Sequence, residues 1–148
     1  MRESGIHLWL ILMKAHDALR QHAERQVHAL GLCLSDFAAL EVLLHKGPLP
    51  VNAIGELVRL TSGSITAAVD RLESRGLVER RNDPGDRRTR VVHLTPAGRE
   101  LITEAYASHE AAMERVTSGL NPQERARAMA LLKKLGLEAQ RLLATSTE

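Results

Sequence analysis

The chain has 148 residues, of which 44% are apolar and 26% are charged, a composition typical of one soluble globular domain. Aromatic residues make up only 2%, which argues against proteins that stack RNA or single-stranded bases on aromatic side chains, and the net charge of +2 hides an uneven distribution. The single cysteine, Cys33, excludes an internal disulfide, and neither a signal peptide nor an apolar run of about 20 residues is present, so we expect a cytoplasmic protein without a membrane partner.

Apolar periodicity predicts four helices in the first half of the chain. They are residues 6–30, a helix capped at Ser35 and ended by Gly47, residues 51–58, and residues 62–74. The third helix is expected to bury Ile54 and Leu57. Either Thr61 or Ser62 can cap the fourth helix.

The pattern then changes to a β-hairpin followed by two long helices. Residues 77–80 and 90–94 have strand patterns, and the stretch between them carries strong turn residues at 82–86. Helix start signals follow at Thr95-Pro96 and at Asn121, with Glu124 completing a capping box. The prediction is a mainly α fold with a small β-hairpin wing, in which a helix-turn-helix lies between outer helices. The apolar stripes of the outer helices are wide, so part of them should be buried against a second subunit.

Positive charge is concentrated in one segment, residues 71–99. This segment has fewer acids than arginines, which are Arg71, Arg75, Arg80, Arg81, Arg87, Arg88, Arg90 and Arg99. The planar guanidinium suits phosphates and guanine edges, so the excess suggests a nucleic acid partner. A solvated surface is the alternative, and for Arg75 we favour a structural role at the helix C-terminus.

Residues 62–74 have the pattern of a helix that enters the major groove of DNA. One side is apolar, with Ile65, Ala68, Val69 and Leu72, and the other side carries Gly63, Thr66, Ala67 and Asp70. Hydroxyl groups crowd its first turn, where free backbone N–H groups can also meet phosphates, although the serines could merely cap the helix. The predicted DNA contacts are Thr61, Ser62, Ser64 and Thr66 on this helix, and Arg87, Arg88 and Arg90 on the wing.

Residues 86–98 resemble the wing signature of MarR regulators, D-x-R-x-x-x-V-x-L-T-x-x-G, at every fixed position. Residues 66–80 (TAAVDRLESRGLVER) also look like the end of the recognition helix and the first wing strand of this family. The likeness extends from residue 6 to residue 143. It implies a transcription regulator in which Asp86 braces the wing through an ion pair and Arg88 enters the minor groove.

The resemblance also implies how the chain is organised. Residues 1–148 would form a single MarR-like domain, with dimerisation helices at 6–30 and 96–144 and a winged helix-turn-helix part at 35–95. The homodimer would read successive major grooves of a pseudo-palindromic double-stranded DNA operator. Many members carry arginine at the outward site of Ala67, so base readout here must rest more on Ser64, Thr66 and the backbone.

Effectors of the MarR family bind between the dimerisation helices and the winged domain. The stretch 61–66 is similar to a subgroup that responds to quinones and phenolic electrophiles, so the resemblance implies a small phenolic or quinone-like effector. The candidate contacts are Trp9, Met13, His16, Phe37 and His109. For the two histidines, a satisfied core or interface position is the favoured alternative. Cys33 does not match the reactive cysteine of redox-sensing relatives and is expected to be inert and half-buried.

Three classes of function were compared on these features. A ligand-responsive transcription repressor fits them best. An enzyme is disfavoured because the sequence has no Gly-rich phosphate loop, nucleophile elbow or paired carboxylates in a plausible cleft. No cofactor and no metal site are expected, because no compact set of ligands has the required spacing. A winged-helix protein-interaction module, or a nonspecific DNA-binding protein without an effector, is the alternative.

Overall fold

The computed structural model describes residues 3–145. In this range the elements are α1 (Gly5–Ala29), α2 (Leu34–Lys46), β1 (Leu49–Pro50), α3 (Val51–Val58), α4 (Ser62–Ser74), β2 (Val78–Asn82), β3 (Arg90–Leu94), α5 (Pro96–Val116) and α6 (Pro122–Thr145). The mainly helical fold class with a small β wing is confirmed. The chain divides into two compact units, Met1–Met113 and Glu114–Glu148.

The core of the first unit is built where α2, α3 and α4 pack against the sheet and α5. Its largest fully buried side chains are Leu40, Leu43, Ile54, Ile65, Leu72, Ile102, Val27, Val69, Val78 and Val92. On α4 the predicted apolar side is buried in full, because every third or fourth residue of the helix returns to the same side. The opposite side of α4 is exposed.

The wing is part of an antiparallel sheet with the strand order β1-β3-β2. β2 pairs with β3 in a register that places Val78 opposite Leu94 and Arg80 opposite Val92. Strand β1, whose Leu49 pairs with Val92, is not among the elements predicted from the sequence. A two-residue strand that contains proline has no pattern of its own, and proline is tolerated here because β1 lies at the sheet edge.

Two local predictions are wrong. The N-cap of α2 is Cys33 rather than Ser35, because the helix starts at Leu34 and places the serine in its first turn. Leu57 is 53% exposed rather than buried, since the buried side of α3 is centred on Ile54 and Gly55 and leaves Leu57 at its edge. In contrast, the capping box is confirmed: Glu124 N donates to Asn121 Oδ1, and Asn121 N donates to Glu124 Oε2, both at 2.9 Å.

The start of α5 explains the end of the wing signature. Thr95 N donates to Leu77 O (3.1 Å), and the Thr95 hydroxyl donates to Gly76 O (2.6 Å) and accepts from Gly98 N (3.0 Å). These bonds pull the first turn of the helix onto the chain before β2. A Cβ atom on Gly98 would lie 1.9 Å from Leu77 O, so only glycine fits this position.

The outer helices α1 and α6 expose apolar side chains. On α1 these are Ile6, Leu8, Trp9, Leu10, Ile11, Met13 and Leu19, and on α6 they are Met129, Leu131, Leu132, Leu135, Leu137, Leu142 and Leu143. Val27 is the one fully buried residue of α1, and α6 has none in its described length. Within residues 3–145 no single helix is long and apolar enough to cross a membrane; α1 and α2 meet that test only together, across a bend of 81°.

Candidate nucleic acid interface

The exposed start of α4 combines a capped helix end with free hydroxyl groups. Thr61 is the N-cap, and its hydroxyl accepts from Ser64 N (3.2 Å) and donates to Ser64 Oγ (2.9 Å). The Thr66 hydroxyl donates its proton to Ser62 O (2.8 Å), so the Thr66 Oγ1 atom can still accept a hydrogen bond. All four residues are exposed, and the Ser62 hydroxyl makes no hydrogen bond within the described part of the chain. This turn can therefore offer hydroxyl and N–H groups to phosphates or base edges.

The turn that joins α3 to α4 is tight. Arg59 caps α3 in the left-handed region, with φ 57°, and Leu60 N donates to Gly55 O (3.0 Å). A Cβ atom on Gly55 would come within 2.9 Å of Ile65 Cγ2, so the glycine allows the two helices to approach closely. This close packing fixes how far the outward side of α4 projects from the domain.

The tip of the wing is ordered by two aspartates. Asp86 accepts hydrogen bonds from Arg88 N (2.9 Å) and from the Thr89 hydroxyl (3.0 Å), and Asp83 accepts from Gly85 N (2.8 Å). The expected ion pair of Asp86 is absent from the described residues, because both carboxylate oxygens are engaged by its own turn. The residue braces the wing through these hydrogen bonds and so orients the backbone of Arg88.

The arginines of residues 71–90 fall into two groups. Protein partners engage Arg71, Arg75, Arg80 and Arg81. Arg75 donates to Gly31 O (2.9 Å), so it has a structural role, although its partner is this carbonyl rather than the C-terminus of its own helix. The guanidinium groups of Arg87, Arg88 and Arg90 are exposed and make no ion pair or hydrogen bond within residues 3–145. The uncompensated positive charge of this region thus lies on the wing.

Arg71 anchors α4 to α2. Its NH2 group lies 2.7 Å from Asp36 Oδ1, and Asp36 is buried although Arg71 is half exposed. The hydrogen bond that Arg71 donates to Asp36 raises the pKa of Arg71 above its usual value. The same guanidinium lies 3.4 Å from Ser35 Oγ and 3.8 Å from Cys33 Sγ. Cys33 is half-buried, and its inertness stays a prediction.

Replacing Asp36 with alanine is expected to lower the free energy of unfolding by about 2 kcal/mol, because a buried charge-assisted pair between α2 and α4 is lost. The matched control is Asp17→Ala, which removes an exposed pair with Arg20 on one helix and should cost less than about 0.5 kcal/mol. Urea unfolding of both variants at equal protein concentration measures the difference. Equal losses would show that the Asp36 pair contributes no more than a surface pair.

The five candidate effector residues do not meet in one place within the chain. His109 is half-buried, its Nδ1 lies 3.1 Å from Gln26 Oε1, and its ring lies 4.9 Å from the Phe37 ring. His109 thus has a hydrogen-bond partner and a ring contact within the chain, as expected for a structural histidine rather than an effector contact. Trp9, Met13 and His16 are exposed on the part of α1 that lies at least about 15 Å along the helix before Gln26.

A groove that no sequence pattern predicts lies between α2, α3 and α5. It has a volume of about 500 Å³ and is lined by Ala38, Glu41, Val42, His45, Lys46, Leu57, Val58 and Tyr106. His45 Nδ1 lies 3.0 Å from Glu41 O, so this nitrogen carries the proton and Nε2 is left for another partner. The Tyr106 ring meets the His45 ring edge-on at 4.7 Å. Residues on three separate elements line it, so no sequence spacing signals it.

The described residues contain no group of three or more potential metal ligands.

Comparisons with known proteins agree with this architecture. The sequence model of the MarR family matches residues 32–89 of this chain. Over 140 residues the chain is 35% identical to the HTH-type transcriptional regulator MhqR of Bacillus subtilis, with 95% of this chain and 97% of that protein covered. A probable transcriptional regulator from Pseudomonas aeruginosa is 32% identical, with a TM-score of 0.77 and coverage of 85% and 94%. BpsR of Bordetella bronchiseptica, whose DNA binding is regulated by 6-hydroxynicotinic acid, is 27% identical, with a TM-score of 0.79 and coverage of 92% and 95%.

The winged helix-turn-helix and these relatives define a DNA-binding transcription regulator and not an enzyme. The chain belongs to the MarR family.

Proposed function

We propose that this protein is a cytoplasmic, ligand-responsive repressor that binds a pseudo-palindromic double-stranded DNA operator as a homodimer. The observation that carries the proposal is that the first turn of α4 and the guanidinium groups of Arg87, Arg88 and Arg90 are exposed, and that these three arginines have no partner within residues 3–145. The helix suits the major groove, and guanidinium groups beside it suit the narrow minor groove. In this account Thr61, Ser62, Ser64 and Thr66 contact the major groove or its phosphates.

The exposed apolar sides of the outer helices support the homodimer. A monomer would leave both α1 and α6 with unburied rows of large apolar side chains, which favours association with a second copy. Helices within 6–30 and 96–144 would form the dimer, and residues 35–95 would bind DNA. Two-fold symmetry then requires an operator with inverted half-sites.

Replacing Leu132 on α6 with glutamate is expected to weaken the dimer by at least tenfold. The side chain is 50% exposed in the single chain, so the change should act on association rather than on folding. Leu57→Glu is the matched control, since Leu57 is 53% exposed but lies on α3, outside the proposed interface. Sedimentation equilibrium over a range of concentrations measures both. A Leu132→Glu variant as dimeric as the control would contradict the assigned interface.

We propose that the effector is a small phenolic or quinone-like compound. The regulation of BpsR by a hydroxylated aromatic acid supports this class. The ligand would act by preferring a dimer geometry in which the recognition helices no longer match the operator spacing. Adding 6-hydroxynicotinic acid or hydroquinone to the protein–DNA complex and following fluorescence anisotropy tests this step. Complexes that survive millimolar concentrations of both probes would contradict the proposed ligand class.

Selection of genomic fragments by the purified protein tests the function as a whole. At physiological salt we expect a few enriched fragments that share an inverted repeat, with half-site centres about one helical turn apart. Weak binding without sequence preference would favour a nonspecific DNA-binding protein. No binding at any salt concentration would favour a protein-interaction module, because electrostatic binding to DNA strengthens steeply as salt is lowered.

A further inference from the structure

Arg80 on β2 joins the wing to the recognition helix. Its NH2 group lies 2.6 Å from Asp70 Oδ1, and its NH1 group lies 2.5 Å from Glu73 Oε2. Glu73 Oε1 also accepts the backbone N–H of Arg80 (3.2 Å). The two carboxylates belong to α4 and are three residues apart, so one guanidinium bridges consecutive turns of the helix.

The burial of these groups is unequal. The Arg80 side chain is 13% exposed, whereas Asp70 and Glu73 are 61% and 42% exposed. Burial by itself lowers the pKa of Arg80, but the hydrogen bonds that it donates to Asp70 and Glu73, together with the attraction of the two carboxylates, outweigh burial and raise the pKa above the usual value.

Asp70 lies on the outward side of α4, in line with Gly63, Thr66 and Ala67. A bare carboxylate there would face the phosphates of bound DNA. The neighbouring Arg81 makes no such connection, because it pairs with Glu79 on its own strand. Arg71, which is also on α4, is engaged by Asp36 of α2.

We propose that Arg80 is a positioning residue for DNA binding, which holds the wing at a fixed angle to the recognition helix so that the two DNA contacts act as one unit. The inference rests on the proposed function, because it assumes that both elements meet DNA together. A guanidinium suits the task because its planar fork can hold two carboxylates in a fixed geometry, which a lysine ammonium cannot do.

The first test compares Arg80→Met with the matched control Arg81→Met on the selected operator. Arg80→Met should lower affinity at least tenfold, whereas Arg81→Met should change it by less than about threefold. The slope of log affinity against log salt should fall by about 0.9 for each wing phosphate contact that is lost. If Arg80→Met fails to fold, Arg80→Lys replaces it. Lysine keeps the charge but cannot hold both carboxylates in a fixed geometry, so the affinity of Arg80→Lys should still be lower than that of Arg81→Met. Equal affinities of the Arg80 and Arg81 variants would overturn the proposal.

A double-mutant cycle separates positioning from general loss of charge. Arg88→Ala should lower affinity strongly in the native background and by less than threefold in the Arg80→Met background, because the wing is then already misplaced. Fully additive losses would contradict the coupling. The triple variant Arg80→Met, Asp70→Asn and Glu73→Gln tests the other explanation, that Arg80 acts only by neutralising the charges of Asp70 and Glu73. Recovery of native affinity in this variant would show that Arg80 merely cancels two carboxylates.

A measurement without DNA keeps this inference separate from the proposed function. Spin labels on Ala67→Cys and Gly85→Cys, in a Cys33→Ser background, report the distance between α4 and the wing tip. Arg80→Met should broaden the distance distribution, and Arg81→Met should leave it as narrow as in the parent. If the distance distribution of Arg80→Met is not broadened, Arg80 is not a positioning residue, even if the protein binds DNA. If the distribution is broadened but the protein binds no DNA, the proposed function is refuted, whereas the role of Arg80 in holding the wing is not.

Discussion

Replacing Arg88 with alanine is expected to lower operator affinity by about two to four orders of magnitude while leaving the dimer and the fold intact. The guanidinium is exposed and has no partner among the described residues, so its removal breaks nothing within the protein. Its backbone N–H is held by Asp86 (2.9 Å), which fixes where the side chain leaves the wing. Each lost charge-assisted contact costs about 1.5–3 kcal/mol, and a dimer would lose two of them.

The matched control for this prediction is Arg81→Ala. Arg81 is equally an exposed arginine of the hairpin, but it pairs with Glu79 and lies away from the tip. Affinity measured by fluorescence anisotropy at several salt concentrations should separate the two variants. If Arg88→Ala binds the operator as tightly as Arg81→Ala does, the wing tip is not a DNA contact.

Replacing Gly98 with alanine is expected to have the largest effect on stability, a loss of about 3–5 kcal/mol. The new Cβ atom would lie 1.9 Å from Leu77 O and 2.8 Å from Leu77 C, far inside van der Waals contact. The contact is with backbone, so no side chain can move aside to relieve it. The start of α5 must shift, which strains the packing and breaks the Thr95 hydrogen bonds to Gly76 and Gly98.

Gly63→Ala on α4 is the control for Gly98→Ala, because α4 lies outside the proposed dimer interface. A Cβ atom on Gly63 meets nothing within 4 Å, so alanine should be neutral or stabilising by up to about 1 kcal/mol through helix propensity. Urea unfolding at one protein concentration compares the variants, since the stability of a dimer depends on concentration. A Gly98→Ala protein as stable as the native one would show that α5 does not pack this closely on the backbone of Leu77.

Local signals were sufficient to predict the recognition helix. Its apolar repeat and its hydroxyl cap define residues 62–74, and the structure has the same bounds. The capping box at Asn121 was also predictable, because both of its hydrogen bonds join residues three positions apart. Such features depend on neighbours in the chain, and a sequence displays those neighbours directly.

Long-range partners could not be read from the sequence. It shows that arginines are concentrated in residues 71–99, but not that Arg71 pairs with Asp36, 35 residues away, or that Arg80 spans two acids of α4. Which arginines remain uncompensated is decided by the fold. The same holds for the effector candidates, since Phe37 and His109 meet through packing of α2 against α5, whereas Trp9 lies on an exposed part of α1.

Footprinting of the selected operator by two chemistries tests the central claim most directly. Methylation of guanine N7 reports the major groove, and hydroxyl radicals report the minor groove. We expect methylation protection at two inverted half-sites and hydroxyl-radical protection in the flanking minor grooves, with only the flanking protection lost in Arg88→Ala at saturating protein. Flanking protection that persists in Arg88→Ala, or half-sites that stay open to methylation, would contradict the assignment of α4 and the wing as the DNA interface.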